Sequence, residues 1–184
     1  MISKFRLITG KNIRIKPNLS SKKNSSLFEY CSDKEYKQYI NSNTSGISWE
    51  FDNSEVIFFE EKTRISGYPT SDMEKMVIIY PMEHERYIAP GNAIIYNADG
   101  SEHMQLKAPE PISELAKTRA RNMAKTKDFN PPHRLYFDRV SWGKTVDGKI
   151  VTVIKIGFDR DWYEERVLDP NTGEFGECLS SGMR

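Results

Sequence analysis

The chain is poor in the residues that most often carry chemistry. Its 184 residues include two cysteines and three histidines. Cys31 and Cys178 lie far apart, with no CxxC spacing and no Cys/His cluster, so neither a local zinc motif nor a disulfide-dense secreted scaffold is written into the sequence. They are expected to be two thiols in a reducing compartment, although their spacing leaves open whether they pair. His84, His103 and His133 have no HxxxH or HExxH partner, so zinc chemistry would need distant residues brought together by folding. Long apolar runs are scarce too. The N-terminal stretch MISKFRLITGKNIRIK is interrupted by charges, unlike a secretory leader, and no stretch approaches the ~18 apolar residues of a membrane-spanning helix. A cytoplasmic protein is expected. Ser180 and Ser181 beside Gly182 do not form GxSxG, and no glycine-rich segment resembles a phosphate loop or dinucleotide fingerprint.

What is present suits a folded β-rich domain. Hydrophobic residues make up 38% of the chain and charged residues 29%, with 9 Phe, 9 Tyr and 3 Trp, enough aromatic material to fill a core. The length suits a single domain over residues 1–184. A net charge of +1 conceals segregation: residues 1–26 carry +7, 27–106 carry −8, 107–144 carry +5 and 145–184 carry −3. If the fold keeps like charges together, such blocks can steer a charged partner.

The elements follow from periodicity and punctuation. KFRLITGKNIRIKP alternates polar and apolar residues about a Gly-containing turn and predicts a hairpin. In CSDKEYKQYI, Ser32 and Glu35 have capping-box spacing, which predicts a short helix over about 33–40. From ISWEFD to AIIYNADGSEHMQL, short β-rich runs are separated by Asn, Ser, Gly and Pro, as in antiparallel strands. PISELAKTRARNMAKTKD then changes to a spacing of three and four, with Ser113 as a cap, and predicts a helix over about 113–127 ended by the prolines of DFNPP. The last fifty or so residues read as a meander with turns at GKTVDG, DRD and PNTG. The expected class is α+β: a mainly antiparallel sheet or sandwich carrying one or two helices.

Candidate sites are few. NADGSEH offers Asn97 and Asp99, but Gly100 comes too early for an EF-hand loop and no acid falls at its end position; a tight hairpin turn about Asp99-Gly100 explains the same residues. In MEHERY, read as a strand, Glu83, His84 and Glu85 would face alternate sides and not converge. The pairs Glu60/Glu61 and Glu164/Glu165 are likewise neighbours on predicted strands, one member of each facing the rim or solvent. No metal and no cofactor are expected, and no residue is assigned a catalytic role. Lys117, Arg121 and Lys125 on one face of the second helix could contact phosphates. In FDRDWYEER, the residues Asp159, Asp161, Trp162, Tyr163, Glu164 and Glu165 combine aromatic anchors with acids that could select a basic protein partner.

Two passages, IIYNADGSEHMQLKAPEPI and IGFDRDWYEERVLDPNTGEFGE, resemble small cytoplasmic immunity proteins of bacterial polymorphic-toxin and contact-dependent inhibition systems in their strand, DG turn, strand and proline order and in their YEER and TGE elements. The resemblance covers about a quarter of the chain. It implies a non-enzymatic protein that neutralises a cognate toxin domain by one-to-one binding. Many such toxins are nucleases with basic clefts, which the acidic block 27–106 or the 159–165 cluster could meet; the net charge of +1 departs from the acidic balance such a partner would favour. The alternatives are a nucleic-acid-binding accessory protein using the basic helix, and an enzyme whose dispersed histidines meet carboxylates in one pocket.

Overall fold

The computed structural model describes residues 1–9, 14–16, 34, 37, 45–124, 135–158 and 162–183. Twelve strands and one helix are defined among them: β1 (Ser3–Thr9), β2 (Arg14–Ile15), β3 (Ser45–Phe51), β4 (Ser54–Glu60), β5 (Ser66–Pro69), β6 (Lys75–Ile79), β7 (Ala93–Asn97), β8 (Glu102–Leu106), α1 (Glu114–Ala124), β9 (Leu135–Lys144), β10 (Ile150–Phe158), β11 (Trp162–Leu168) and β12 (Phe175–Met183). They form three four-stranded antiparallel sheets with orders β2-β1-β3-β4, β5-β6-β7-β8 and β12-β11-β10-β9.

The hairpin of the first fifteen residues is present, with Leu7 opposite Ile15. Of the helix expected over about 33–40, Lys34 and Lys37 are described, both helical, and the rest lies outside the described residues. The second helix starts at its expected cap, because the Ser113 hydroxyl accepts the Ala116 amide at 3.3 Å.

The organisation is richer than one sheet or a two-sheet sandwich. The two central strands of the middle sheet, β6 and β7, are buried on both faces. They read MVII and AIIY without polar alternation, so each pleat position finds an apolar neighbour. Met76, Ile78, Ile94 and Tyr96 pack with Ile2, just before β1, and with Phe5, Ile47 and Trp49 of the N-terminal sheet. Val77, Ile79, Ala93 and Ile95 face the other way, onto Phe137, Val140, Ile154, Ile156, Phe158 and Leu168 of the C-terminal sheet, with Ala116 of α1 in the same core.

Polar bonds fix the layers laterally, which apolar burial alone does not do. The Trp49 indole, stacked on Phe58 with ring centroids 5.5 Å apart, donates to the Ala98 carbonyl at 2.6 Å. Across the other interface, the Trp142 indole donates to Pro69 O at 2.8 Å and the Ser71 amide to the Thr152 hydroxyl at 2.9 Å. Asn92, fully buried, donates to Tyr80 O at 2.8 Å and Phe137 O at 2.9 Å and accepts the Phe137 amide at 2.9 Å. It serves as a strand-like bridge between the middle and C-terminal sheets.

The turns obey their predicted chemistry. Gly100 has φ +86° and Gly173 φ +73°, a region that residues with a Cβ rarely enter. Asp99 accepts both the amide and the hydroxyl of Ser101, at 2.9 and 2.6 Å, and the Gly100 amide closes on Asn97 O at 2.9 Å. The Asp99 carboxylate and the Asn97 side-chain amide, which resembled metal ligands, thus both bond within the hairpin itself.

Candidate functional site

β11 sorts the residues of the acidic aromatic segment onto two faces, since successive side chains on a strand point oppositely. Asp159 and Asp161 lie outside the described residues. Trp162 faces inward and packs against the core. Glu164 also faces inward and is fully buried. Its carboxylate accepts the Ile112 amide at 3.1 and 3.3 Å, the Ser113 amide at 2.8 Å and the Ser113 hydroxyl at 2.6 Å. These are the free amides before the first turn of α1, where a negative charge meets unpaired donors and the positive end of the helix dipole. Glu164 was expected to share in a partner-contact patch. The fold corrects this by burying it as a clamp that holds the helix to the sheet.

Two residues on, Arg166 faces the same side and is only 7% exposed. It donates to Phe175 O at 2.8 Å and Gly176 O at 3.1 Å, and its guanidinium lies 5.7 Å from the Phe175 ring centroid. Both buried charges therefore have hydrogen-bonding partners, without which burial would be prohibitive. Cys178, paired with Arg166 across the strands, has its thiol pushed up by burial, with the Glu164 charge adding to the effect.

Tyr163 and Glu165 point to the opposite face of the C-terminal sheet. Lys155 stands opposite Glu165 on β10, and Arg139 opposite Lys155 on β9. Glu165 meets Arg139 at 3.5 Å and accepts the Ser180 hydroxyl at 3.0 Å. The Lys155 ammonium lies 3.8 Å from the Tyr163 ring centroid and 4.0 Å from the Asp138 carboxylate. A row of two cations, a carboxylate and a hydroxyl thus crosses the four strands, with an aromatic ring beside it. Gly157 completes the face: a Cβ there would stand 2.3 Å from Tyr136, so the glycine admits that ring over the sheet. Exposure rises along the row from 16% for the Lys155 side chain and 20% for Glu165 to 61% for Arg139.

On α1, Lys117 pairs with Glu114 at 3.2 Å and Arg121 is exposed. Lys125 lies outside the described residues, so the complete basic face is not assembled among those described.

The histidines separate. His133 lies outside the described residues, and His103 is exposed, with Nε2 3.0 Å from Asn171 O. His84 lies in a loop between β6 and β7, where sequence reading placed a strand; Glu83 and Glu85 are exposed while the imidazole turns inward. Nδ1 accepts the amides of Tyr87 at 3.1 Å and Arg86 at 3.3 Å, which leaves Nε2 to carry a proton, 3.8 Å from Glu60. The ring packs beside Tyr80 and Tyr87 in a triangle, at centroid distances of 4.7 and 5.6 Å, with the two phenol rings 4.5 Å apart. The Tyr80 and Tyr96 hydroxyls are 2.9 Å apart, and Tyr87 donates to Glu102 at 3.2 Å. Sequence reading missed this phenol cluster, whose only signal was a tyrosine at the end of each of two apolar runs and another within the loop joining them.

Burial pushes the Tyr80 phenol up from its ordinary 10.0 to about 12, partly opposed by the bond to Tyr96, and burial also raises Tyr87 and Tyr96. All three remain protonated near neutrality, as donors and acceptors of hydrogen bonds rather than bases. The unfolded chain would release the Tyr80 proton near 10 while the folded chain holds it to about 12. Stability from this group is therefore complete below the lower value and falls as pH rises through the upper one. Urea midpoints are expected to drop between about pH 9 and about pH 11.5, with a shallower drop in Tyr80→Phe. Superimposable pH profiles for the two proteins would contradict it.

Among the described residues, no group of three His, Cys, Asp or Glu side chains is placed to hold a metal ion, and no helix is long and apolar enough to cross a membrane. No protein-family model, curated protein or solved structure matches the chain.

Proposed function

We propose that the chain is a non-enzymatic binding protein that neutralises a cognate toxin domain by one-to-one association, as its resemblance to immunity proteins implies. The observation that carries this reading is the row on the outer face of the C-terminal sheet, where Tyr163, Glu165, Lys155, Arg139 and Asp138 are held in register on a scaffold whose other face is core. Groups already ordered by neighbouring strands lose little freedom on binding, and charges of both signs beside an aromatic ring favour selectivity over indiscriminate adhesion.

The histidine and tyrosine cluster supports the same reading from the other side. The His84 Nδ1 serves two backbone amides, and the surrounding phenols stay protonated. The cluster thus organises a loop instead of presenting a nucleophile or base to a substrate. The test is light scattering and calorimetry on the purified chain with any toxin domain found encoded next to its gene. A one-to-one complex that abolishes the toxin's activity is expected. A toxin that stays free and active beside an excess of the chain would contradict the proposal.

A further inference from the structure

The strands that border the three sheets are β2, β4, β5, β8, β9 and β12, and a bordering strand leaves a row of backbone amides and carbonyls that another strand could take. All but β4 carry a feature that blunts such pairing. β2 has two residues, and β5 has four and ends in Pro69. β8, β9 and β12 are bulged, their registers skipping a residue at His103, Asp138 and Leu179, and a bulge twists an edge away from a flat neighbour.

The seven residues of β4, SEVIFFE, pair with β3 without a register shift and include neither proline nor lysine. The tip of this hairpin has positive φ at both Asp52 and Asn53, the type I′ form in which Phe51 and Ser54 exchange the closing hydrogen bonds. Bonding alternates from there along the ladder, so Val56 and Phe58 bond to β3 while the amides and carbonyls of Glu55, Ile57 and Phe59 point away from it. Val56 and Phe58 also pack against the core. The side chains between them lie on the outer face, where Ile57 is 50% and Phe59 41% exposed and Glu55 is paired with Arg14.

We infer that β4 pairs antiparallel with β4 of a second copy of this chain, about a two-fold axis at Ile57, joining the two N-terminal sheets into one. In this register Ile57 meets Ile57 and Glu55 meets Phe59, and their outward backbone groups close about six hydrogen bonds across the join. The charges fit as well. Glu60 falls opposite Ser54, and past the strand ends the exposed Asp52 comes opposite the exposed Lys62, so no like charges are directly opposed. Association stops at two copies, because the two-fold uses both β4 edges and leaves the two-residue β2 outermost. A single strand pair falls short of the ~1,200 Å² of a standard interface, so a dissociation constant of roughly micromolar size is expected. The charged row lies on the C-terminal sheet, beyond the middle sheet, and stays open in the dimer. The inference therefore goes beyond the proposed binding function and does not depend on it.

The test is sedimentation velocity on the purified chain from about 1 to about 500 μM, with hydrogen exchange of the β4 amides at both ends of that range. A monomer that becomes a dimer and goes no further is expected, and the amides of Glu55, Ile57 and Phe59 should exchange more slowly at the higher concentration. Ile57→Lys sets two cations on the axis and should weaken the dimer at least about tenfold. Ile57 is half exposed, so this variant should melt with the wild type at low concentration, where both are monomers. Ile57→Thr keeps the β-branch and should weaken the dimer about threefold, which keeps the test independent of any misfolding of the lysine variant. A chain that stays monomeric at every concentration with freely exchanging β4 amides would overturn the inference and leave the edge to a different protein. Amides equally slow at every dilution would overturn it too, since another part of the same chain would then cover the edge. Dimers that Ile57→Lys leaves intact, or species that keep growing, would likewise contradict it.

Discussion

Asn92→Ala is expected to destabilise the chain by about 3–6 kcal/mol, a large share of the roughly 5–15 kcal/mol that holds a typical domain together. The side chain is fully buried and makes three hydrogen bonds, to Tyr80 O, Phe137 O and the Phe137 amide. Alanine leaves all three backbone groups buried and without that partner, and each such loss costs about 1–3 kcal/mol. The damage falls on the joint between the middle and C-terminal sheets, so both sheets should lose cooperativity together. Asn92→Asp should be no better, because it removes the two donors and aims a carboxylate at two carbonyl oxygens. Urea unfolding followed by tryptophan fluorescence measures the effect, and a loss below about 1 kcal/mol for alanine would mean that the Asn92 bridge does not join the sheets.

Glu164→Ala is expected to cost about 2–4 kcal/mol. It removes the acceptor of the Ile112 amide, the Ser113 amide and the Ser113 hydroxyl, and hydrogen bonds to a charged group contribute roughly 1.5–3 kcal/mol each before the helix end relaxes. The loss is local in origin, unlike that of Asn92. Hydrogen exchange should therefore accelerate first in the amides of α1, at denaturant concentrations where the strands still protect theirs. Glu164→Gln retains an acceptor and loses the charge, and should cost about half as much. Equal protection of α1 in wild type and alanine variant would show that the clamp does not hold the helix.

Much of this architecture was legible before the coordinates. The hairpin turns at Asp99-Gly100 and Asp169–Glu174 were written in local chemistry, because positive φ demands glycine and aspartate caps its own turn. The start of α1 was legible for the same reason, through Ser113. The third sheet was harder to see. Its signal was the unbroken apolar character of MVII and AIIY, which indicates burial on both faces, but periodicity cannot say which strands supply the covering layers.

The candidate site was legible by segment and not by residue. Alternation along WYEER implied that Glu164 and Glu165 would part, yet only the position of α1 decides which becomes the buried one. The charged row was hidden because Arg139, Lys155 and Glu165 meet only through strand register, across separations in sequence that local pattern does not span. The His84 loop was misread as a strand because its fold is set by a histidine accepting backbone amides, which no propensity encodes.

The central claim is that two adjacent carboxylates divide the work, Glu164 holding the helix and Glu165 meeting the partner. Stopped-flow association with a candidate cognate toxin domain shown to bind the wild type, run at low and high salt on Glu164→Gln and Glu165→Lys, tests it most directly. Glu165→Lys should stay folded but lose about 1 kcal/mol, because it gives up the Ser180 bond and sets a cation directly opposite Lys155. It should nevertheless associate about tenfold more slowly at low salt, with the difference shrinking as salt screens the charge. Glu164→Gln should be less stable and associate at the wild-type rate. A Glu165→Lys variant that associates as fast as wild type while Glu164→Gln slows would contradict the account.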